Sequence, residues 1–216
     1  MTALLAKIIH MTTPEQSQGF NLLLIRNFFD AQTCERILAD VRSNRGGPAT
    51  VYRDDKDVAS GIVDERVRRA TRLAPSTETV ELVVGRLLES KPIIEEHFGV
   101  SINDCEDPQF LRYGVGDFFV AHQNGNTGLI RSDRESTRKV SVILFLSYQS
   151  ESPRPGTYCG GSLVFHGWGS GMPGQEDLRE SVRGEAGMLV AFRSQTTHEV
   201  MPVEHGERYS IASWYR

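Results

Sequence analysis

The feature that most constrains the fold is a series of short strand-like segments that begins near residue 106 and continues to the end of the chain. Most are separated by glycine, proline or polar turns, which is the pattern of an all-β sandwich or barrel. The segments cover residues 110–113, 118–122, 140–146, 162–165, 187–192, 198–203 and 209–215. This region is therefore predicted to form a double-sheet jelly roll.

Two amphipathic helices are predicted before these strands. Asp30 is a suitable N-cap for a helix over residues 31–43, in which apolar residues recur at helical spacing. Ser76 caps a second helix, which Pro92 is expected to kink or restart. The chain is thus predicted to be α+β and mainly β, with helices that support the strands.

The whole chain is predicted to form one domain in three parts. Residues 1–20 form an arm or an edge strand, residues 21–105 provide helical support and edge strands, and residues 106–216 form the β core. Within the second part, the polar stretch 44–74 is typical of loops and short edge strands.

The composition excludes several function classes. A net charge of −4 and a pI near 5.9 argue against a general nucleic-acid or anionic-membrane binder. No apolar run approaches the roughly 18 residues needed to span a bilayer. The three cysteines form no CxxC pair, and Cys34 is expected to be a buried free thiol. Together these features predict a cytoplasmic protein, and they leave its oligomeric state open.

Two histidines stand out because of their neighbours. His122 ends a strand that follows a Tyr-Gly-x-Gly turn, and His198 opens a segment that is followed by Arg208. Two imidazoles with a nearby side-chain oxygen and open positions are typical of a non-haem Fe(II) oxygenase. Strand alternation places Arg208 and Ser210 on one face, where a guanidinium and a hydroxyl can hold one carboxylate. The remaining histidines are expected to be surface or structural residues: His10, His97, His166 and His205.

The order of motifs in this chain resembles that of a known family. The landmarks are Arg112-Tyr113-Gly114 with His122 nine residues after the tyrosine, the run 138–146, Gly160-Gly161-Ser162-Leu163, the segment 192–200, Pro202-Val203, and Gly206 to Ser210. From about Asn27 to Arg216 the chain resembles the prolyl 4-hydroxylase-like group of 2-oxoglutarate/Fe(II)-dependent oxygenases. Several motifs in the right order are more specific than any single motif.

The resemblance implies a double-stranded β-helix of the jelly-roll or cupin-like kind. It implies Fe(II) held by His122, His198 and the residue at position 124, with 2-oxoglutarate bound to that iron and its distal carboxylate on Arg208. The implied reaction hydroxylates an unactivated C–H bond and releases succinate and CO2, with ascorbate as an optional reductant.

Four further positions follow from the same resemblance. Tyr113 aligns with a tyrosine that often helps to hold the co-substrate, and Leu163 is expected to line the pocket. Phe145 stands where some relatives have a second tyrosine, so that phenol contact is lost here. Ser210 is expected to replace it.

Position 124 departs from the family pattern, because Asn124 stands where a carboxylate is expected. A neutral amide is a weaker donor to Fe(II) and leaves the site one charge more positive. Four readings stay open. The amide oxygen ligates; or chloride or water takes the position, as in halogenases, whose residue there is smaller; or catalysis has been lost; or deamidation of Asn124-Gly125 supplies an aspartate.

Two aspartates are further candidate ligands. Asp117 lies five residues before His122, and this odd spacing points it to the opposite face of the strand. Asp133 lies in the loop beyond the turn and would have to swing in.

Two functions from different classes remain. The first is a 2-oxoglutarate-dependent hydroxylase that acts on a prolyl or other protein residue, or on an amino-acid-like small molecule. The second is a catalytically inert jelly-roll sensor or binding protein, which Asn124 favours. An unrelated cupin metalloprotein fits less well, because its metal motif places two histidines close together. The retained histidines, Arg208 and the Gly160-Gly161 turn favour the enzyme, and turnover of 2-oxoglutarate separates the two.

Overall fold

The computed structural model describes residues 15–16, 20–44, 46–51, 63–125, 137–167 and 178–216. Within these ranges the chain forms two α-helices, α1 (Ala31–Ser43) and α2 (Thr77–Phe98). Both begin as predicted, since the Asp30 carboxylate accepts from the Thr33 N–H at 2.7 Å and the Ser76 hydroxyl accepts from the Thr79 N–H at 3.3 Å. No helix of these residues is long and apolar enough to cross a membrane.

Helix α2 continues through Pro92, where the sequence predicted a kink or a restart. The prediction that the helix restarts at Pro92 is therefore wrong. Pro92 removes the N–H that would bond to the Leu88 carbonyl, but Leu88 is 45% exposed, so water can satisfy that carbonyl. The helix ends at Gly99, whose positive φ of 61° favours glycine.

The described residues also form strands that are mostly short. They are β1 (Glu15–Gln16), β2 (Leu22–Ile25), β3 (Gly47–Pro48), β4 (Arg68–Arg69), β5 (Thr71–Leu73), β6 (Gln109–Tyr113), β7 (Phe118–His122), β8 (Val140–Phe145), β9 (Tyr148–Gln149), β10 (Thr157–Gly160), β11 (Leu163–Gly167), β12 (Leu178–Val182), β13 (Leu189–Arg193), β14 (Thr197–Val200), β15 (Val203–His205) and β16 (Arg208–Tyr215).

The described strands form three sheets, and two of these position the site. The larger has eight strands in the order β1-β2-β13-β8-β16-β6-β5-β3, and the smaller has five in the order β12-β11-β14-β7-β4. A third sheet has the order β15-β10-β9. With the helices packed against the larger sheet, this is the predicted double-stranded β-helix with N-terminal supporting helices.

Alternation along the central strands of the larger sheet places apolar side chains on both of its faces. In β8, Val142 and Leu144 pack in the core that contains the helices, whereas Phe145 packs in a second core together with residues of the smaller sheet. In β16, Tyr209 and Ile211 belong to the helix side. Because side chains alternate with a period of two, Arg208, Ser210, Ala212 and Trp214 of β16 then face the smaller sheet.

The sequence predicts a single strand over residues 198–203, and this prediction is wrong. The chain forms β14, then leaves the five-stranded sheet and forms β15 in the three-stranded sheet. Pro202 has no N–H for a sheet ladder, and its carbonyl accepts instead from the Gly161 N–H at 2.9 Å. The break brings the Gly160-Gly161 turn beside the start of β16.

Candidate active site

Strand register brings the two histidines together. Strand β14 pairs antiparallel with β7, and His198 lies directly opposite His122 across this ladder. The ring centroids are 4.2 Å apart, although 75 residues separate the two positions in sequence. Phe119 stacks on the His122 ring at 3.5 Å, and Phe192 contacts the His198 ring at 4.6 Å, so aromatic neighbours hold both rings in place.

Each imidazole is fixed by the same kind of hydrogen bond, from its Nδ1 to the carbonyl of the residue two positions before it. The Nδ1 atom of His122 lies 2.8 Å from the Val120 carbonyl, and the Nδ1 atom of His198 lies 2.9 Å from the Thr196 carbonyl. A carbonyl only accepts, so Nδ1 carries the proton in both rings and Nε2 keeps its lone pair. This is the tautomer that a metal-ligating histidine uses.

The Asn124 side chain lies beside the His198 ring. Its Nδ2 donates to the Ser141 hydroxyl at 3.2 Å and lies 3.2 Å from Nε2 of His198. Ser141 is fully buried and bonds in turn to the Ser194 hydroxyl at 3.0 Å. The amide is therefore held next to the ligating face of His198 by a buried polar network.

The backbone around Asn124 is anchored from two sides. The N–H groups of Asn124 and Gly125 both donate to the Ser194 carbonyl at 2.8 Å. The Arg138 guanidinium reaches the Asn124 carbonyl and pairs with the buried carboxylate of Glu106 at 2.7 Å. Because the Gly125 nitrogen would have to attack the Asn124 side chain in deamidation, this bonded geometry disfavours the deamidation reading.

Arg208 reaches the same cavity from the larger sheet. The residue is 1% exposed, and its Nη1 donates to the Ser210 hydroxyl at 2.8 Å, as the alternation predicts. Its Cζ lies 5.1 Å from the Tyr113 ring centroid and 5.0 Å from that of Phe145. Its Nε and Nη2 atoms are buried and have no hydrogen-bond partner among the described residues. Unpaired buried donors on a guanidinium are costly unless a ligand pairs with them.

A cavity of about 220 Å³ lies between the histidine pair and Arg208. Every predicted site residue lines it: Tyr113, His122, Asn124, Leu163, His198, Arg208 and Ser210. The remaining wall is mostly apolar, with Arg68, Gln109, Arg138 and Trp214 also present. A largely apolar cavity with a few convergent polar groups is typical of a small-molecule site.

The other candidate ligands lie elsewhere. The Asp117 carboxylate accepts from the Gly114 N–H and from Arg69 Nε, both at 2.9 Å, so it is committed to the turn before β7. Asp133 and His10 lie outside the described residues. In the part of the chain that the structure describes, no three His, Cys, Asp or Glu side chains form a cluster that could hold a metal.

The other histidines that the structure describes do not line the cavity. His166 bonds to Glu199 at 3.0 Å, His97 packs against Phe98, and His205 is exposed at the end of β15. Cys34 is a buried free thiol, as predicted, and burial raises its pKa to about 11.

Sequence reasoning assigned no role to several residues that support the site. Arg138, Glu106 and Ser194 hold the Asn124 segment, and the Arg138–Glu106 and Ser194–Asn124 contacts each span more than thirty residues of sequence. The one available signal was Ser141, a polar residue inside an otherwise apolar strand. Gly161 was quoted only as a motif, but a Cβ there would lie 3.2 Å from the Arg208 Cδ.

Burial lowers the pKa of both histidines. That of His198 falls to about 4, and that of His122 falls well below 6.5, in part because His198 is its neighbour. Both imidazoles are therefore neutral at neutral pH. Metal ligands must be deprotonated, so no proton has to leave before a metal binds.

The metal-free protein is expected to lose stability between about pH 6.5 and pH 4. The pKa of His198 is about 4 in the folded chain against an ordinary value of 6.5, so the unfolded chain binds more protons in this range. The free energy of unfolding therefore rises with pH, and the contribution of His198, on the order of 3 kcal/mol, is complete above about 6.5. Urea unfolding of chelator-treated protein measures it, and His198→Gln should flatten the dependence. If the free energy of unfolding of the variant depended on pH as steeply as that of the wild type, His198 would not be the source of this dependence.

The fold and site define a class before any comparison. A double-stranded β-helix that presents two neutral histidines and a buried arginine to one cavity is the framework of a metal- and carboxylate-binding oxygenase. The family model of the 2OG-Fe(II) oxygenase superfamily matches residues 108–216, which is half of the chain and contains every predicted site residue. The chain belongs to this superfamily, whose name gives Fe(II) and 2-oxoglutarate as cofactor and co-substrate.

Curated relatives are described as PKHD-type hydroxylases. One from Shewanella sp. strain ANA-3 is 29% identical over 168 residues, which cover 74% of this chain and 65% of the relative. One from Paraburkholderia phytofirmans is 28% identical over 198 residues, which cover 89% of this chain and 77% of the relative. The chain thus spans slightly less than two thirds of the length of the Shewanella relatives.

Solved structures confirm the fold. The crystal structure of a Pseudomonas putida prolyl-4-hydroxylase matches with a TM-score of 0.64 and 22% identity, and the match covers 100% of this chain and 98% of that one. A Trichoplax adhaerens prolyl hydroxylase, solved with a hypoxia inducible factor peptide fragment, matches with a TM-score of 0.61 and 17% identity over 91% of this chain and 84% of that one.

Proposed function

We propose that this protein is a 2-oxoglutarate- and Fe(II)-dependent dioxygenase that hydroxylates an unactivated C–H bond. The observation that carries the proposal is the shared cavity. Two imidazoles whose Nε2 atoms carry no proton line it from one sheet, and a buried guanidinium with unpaired Nε and Nη2 lines it from the other. The two imidazoles suit a metal ion, and the guanidinium suits a carboxylate.

The residues present fit Fe(II). His122 and His198 would supply two nitrogen ligands, and the Asn124 amide is close enough to His198 Nε2 to share a metal with it. In this structure the Asn124 amide points its nitrogen towards His198 Nε2. A half-turn would present Oδ1, and the Ser141 hydroxyl can support either orientation because it both donates and accepts.

The residues also fit the distal carboxylate of 2-oxoglutarate. Arg208 is buried, and its Nε and Nη2 have no hydrogen-bond partner among the described residues, whereas its Nη1 donates to the Ser210 hydroxyl. When bound, Fe(II) and 2-oxoglutarate supply oxygen-dependent decarboxylation to succinate and CO2, coupled to hydroxylation. The chain itself orients both groups and excludes water with an apolar wall that includes Leu111, Leu163 and Val200.

The substrate is proposed to be a prolyl or other protein residue, or an amino-acid-like molecule. Two similar solved structures are prolyl hydroxylases, one of them with a peptide bound. In this chain Arg68, Gln109 and Trp214 line the same cavity, and the Arg68 guanidinium lies over the Phe119 ring at 4.7 Å. These groups would contact the substrate near the metal.

Succinate formation tests the proposal. Protein supplied with Fe(II), 2-oxoglutarate, ascorbate and O2 is expected to produce succinate above the level of a His198→Ala variant. A proline-rich peptide and free L-proline serve as the two substrate probes. Stimulation by one probe assigns the substrate class. Succinate at the variant's level under all conditions would contradict the proposed activity.

Asn124→Asp is expected to raise Fe(II) affinity by about tenfold or more. The carboxylate adds a negative charge and a stronger oxygen donor next to His198, and charge is the main difference between the two side chains. Anaerobic Fe(II) titration measures the change, and Gln123→Glu is the matched control because Gln123 bonds to Thr197 instead. An unchanged affinity would show that position 124 is not a ligand.

The alternative is a jelly-roll protein that binds a ligand without turnover. The contact that favours it is the hydrogen bond between the Asn124 Nδ2 and His198 Nε2, because it occupies the lone pair that a metal would need. On this reading, 2-oxoglutarate or a similar dicarboxylate binds at Arg208 and no succinate forms.

A further inference from the structure

The cavity contains more positive charge than the proposed co-substrate accounts for. The described residues that line it include three arginines, Arg68, Arg138 and Arg208, and no aspartate or glutamate. Arg138 is already neutralised, because its Nε and Nη2 donate to the Glu106 carboxylate at 2.7 and 2.9 Å. Arg208 would be neutralised by the distal carboxylate of 2-oxoglutarate. Arg68 is then the arginine that has no negative partner among the described residues.

Arg68 is a buried guanidinium with one edge unpaired. The residue is 8% exposed, and its Nη1 donates to the Thr50 carbonyl at 3.2 Å. Its Cζ lies over the Phe119 ring, 4.7 Å from the centroid. Its Nε is buried and has no hydrogen-bond partner among the described residues. A neutral carbonyl and an aromatic ring do not neutralise the charge, and a buried unpaired donor is costly unless a ligand pairs with it.

Arg68 belongs to the wall of the cavity that carries the histidines. Strand β4 pairs with β7, and Arg68 lies directly opposite Phe119 across this ladder. The Phe119 ring that contacts the guanidinium also stacks on the His122 ring at 3.5 Å. Trp214 lines the same cavity, and its Nε1 is a second buried donor without a partner among the described residues. A substrate near the histidines would therefore meet unpaired donors.

Asn124 increases the imbalance of charge, because the amide is neutral where a carboxylate is expected. The two negative charges of 2-oxoglutarate offset the two positive charges of Fe(II). Arg68 and Arg208 would then leave the filled site with a net positive charge. Because a buried charge is expensive without a partner, the site favours a substrate that brings a negative charge of its own.

We propose that the substrate is a small carboxylic acid of the amino-acid type, free or N-acylated, whose own carboxylate binds the unpaired edge of Arg68. A planar carboxylate accepts two parallel hydrogen bonds from one edge of a guanidinium. An internal residue of a peptide offers only a neutral carbonyl, which would leave Arg68 without a counter-charge. This assignment rests on the proposed function, and within it favours a small acid over a residue inside a peptide chain.

Matched acids and amides test the substrate class. Each common L-amino acid is supplied as the free acid, the N-acetyl acid and the N-acetyl carboxamide, the last of which imitates an internal residue. At least one acid is expected to stimulate succinate formation at a concentration about 10- to 100-fold lower than its carboxamide, the range for a hydrogen bond to a charged group. The same acid should shift the visible absorption band of the anaerobic Fe(II)–2-oxoglutarate complex, which reports binding without turnover. Carboxamides that act as well as the acids, or no response to any acid, would overturn the proposal.

Arg68→Gln tests the residue itself. The variant is expected to bind the acid about 10- to 100-fold more weakly and the carboxamide almost unchanged, so the preference for the acid disappears. Arg69→Gln is the matched control and should keep the preference, because Arg69 follows on the same strand but pairs with Asp117 outside the cavity. Equal losses for acid and carboxamide in Arg68→Gln would overturn the assignment and show that Arg68 only supports the cavity wall.

The absorption band separates failure of this assignment from failure of the proposed function. If the wild-type protein forms no band with Fe(II) and 2-oxoglutarate, the proposed function fails. If the band forms and Arg68→Gln still prefers the acid, only the role of Arg68 fails. Arg68→Lys keeps the positive charge without the two-donor edge, so it should fold like the wild type and show an intermediate preference. An undiminished preference in Arg68→Lys would overturn the two-point contact with the carboxylate.

Discussion

His198→Ala is expected to abolish Fe(II)-dependent turnover and to weaken Fe(II) binding by more than about 100-fold. The expectation follows from geometry, because His198 lies directly across the ladder from His122 and lies 3.2 Å from Asn124. Loss of the partners that merely orient metal ligands already costs about 10- to 100-fold in affinity, so loss of a ligand should cost more. Equilibrium dialysis of Fe(II) and succinate formation measure the two effects.

His166→Ala is the matched control for this experiment. His166 lies on β11, next to β14, but its ring bonds to Glu199 and does not line the cavity. The control should bind Fe(II) like the wild type. Retained Fe(II) binding in His198→Ala, with a wild-type melting temperature, would show that the metal lies elsewhere.

Arg208→Ala is expected to weaken 2-oxoglutarate binding by roughly 100- to 5,000-fold while Fe(II) affinity changes little. The guanidinium is 1% exposed, so a carboxylate paired with it is removed from water, and losing one partner of such a buried pair costs about 3–5 kcal/mol. Fe(II) affinity should hold because Arg208 lies on the opposite sheet from the histidines. Calorimetric titrations with 2-oxoglutarate and, separately, with Fe(II) measure the two affinities.

A nearby arginine provides the control for Arg208. Arg112 lies on β6 beside Arg208, but its guanidinium pairs with Glu207 and Thr71 outside the cavity. Arg112→Ala should keep both affinities. Equal loss of Fe(II) and 2-oxoglutarate affinity in Arg208→Ala would indicate a general collapse of the site and not the loss of a carboxylate anchor.

The fold and the main site residues could be predicted because their signals are local or periodic. Both helices begin at the predicted caps, Asp30 and Ser76. The pairing of Arg208 with Ser210 follows from the period of two along a strand, and the order of motifs indicated the family. Side-chain alternation and capping depend on residues a few positions apart, so the sequence displays them directly.

The contacts that refine the site depend on strand register and on long-range packing. The direct pairing of His198 with His122, the Arg138–Glu106 pair and the approach of Arg68 to Phe119 each join segments from different parts of the chain. No local pattern encodes them. The break between β14 and β15 was missed for the same reason, since the chain moves there from one sheet to another.

An anaerobic titration of the metal-free protein with Fe(II) and 2-oxoglutarate tests whether the two bind together in the cavity between the histidines and Arg208. It monitors the visible metal-to-ligand charge-transfer band of a chelated keto acid, which requires both groups in one site. We expect the band to appear in the wild type, to saturate at one iron and one 2-oxoglutarate per chain, and to be lost in His198→Ala. A wild-type protein that shows no band, while Asn124→Asp shows one, would contradict the proposed oxygenase and favour the binding protein that no longer turns over.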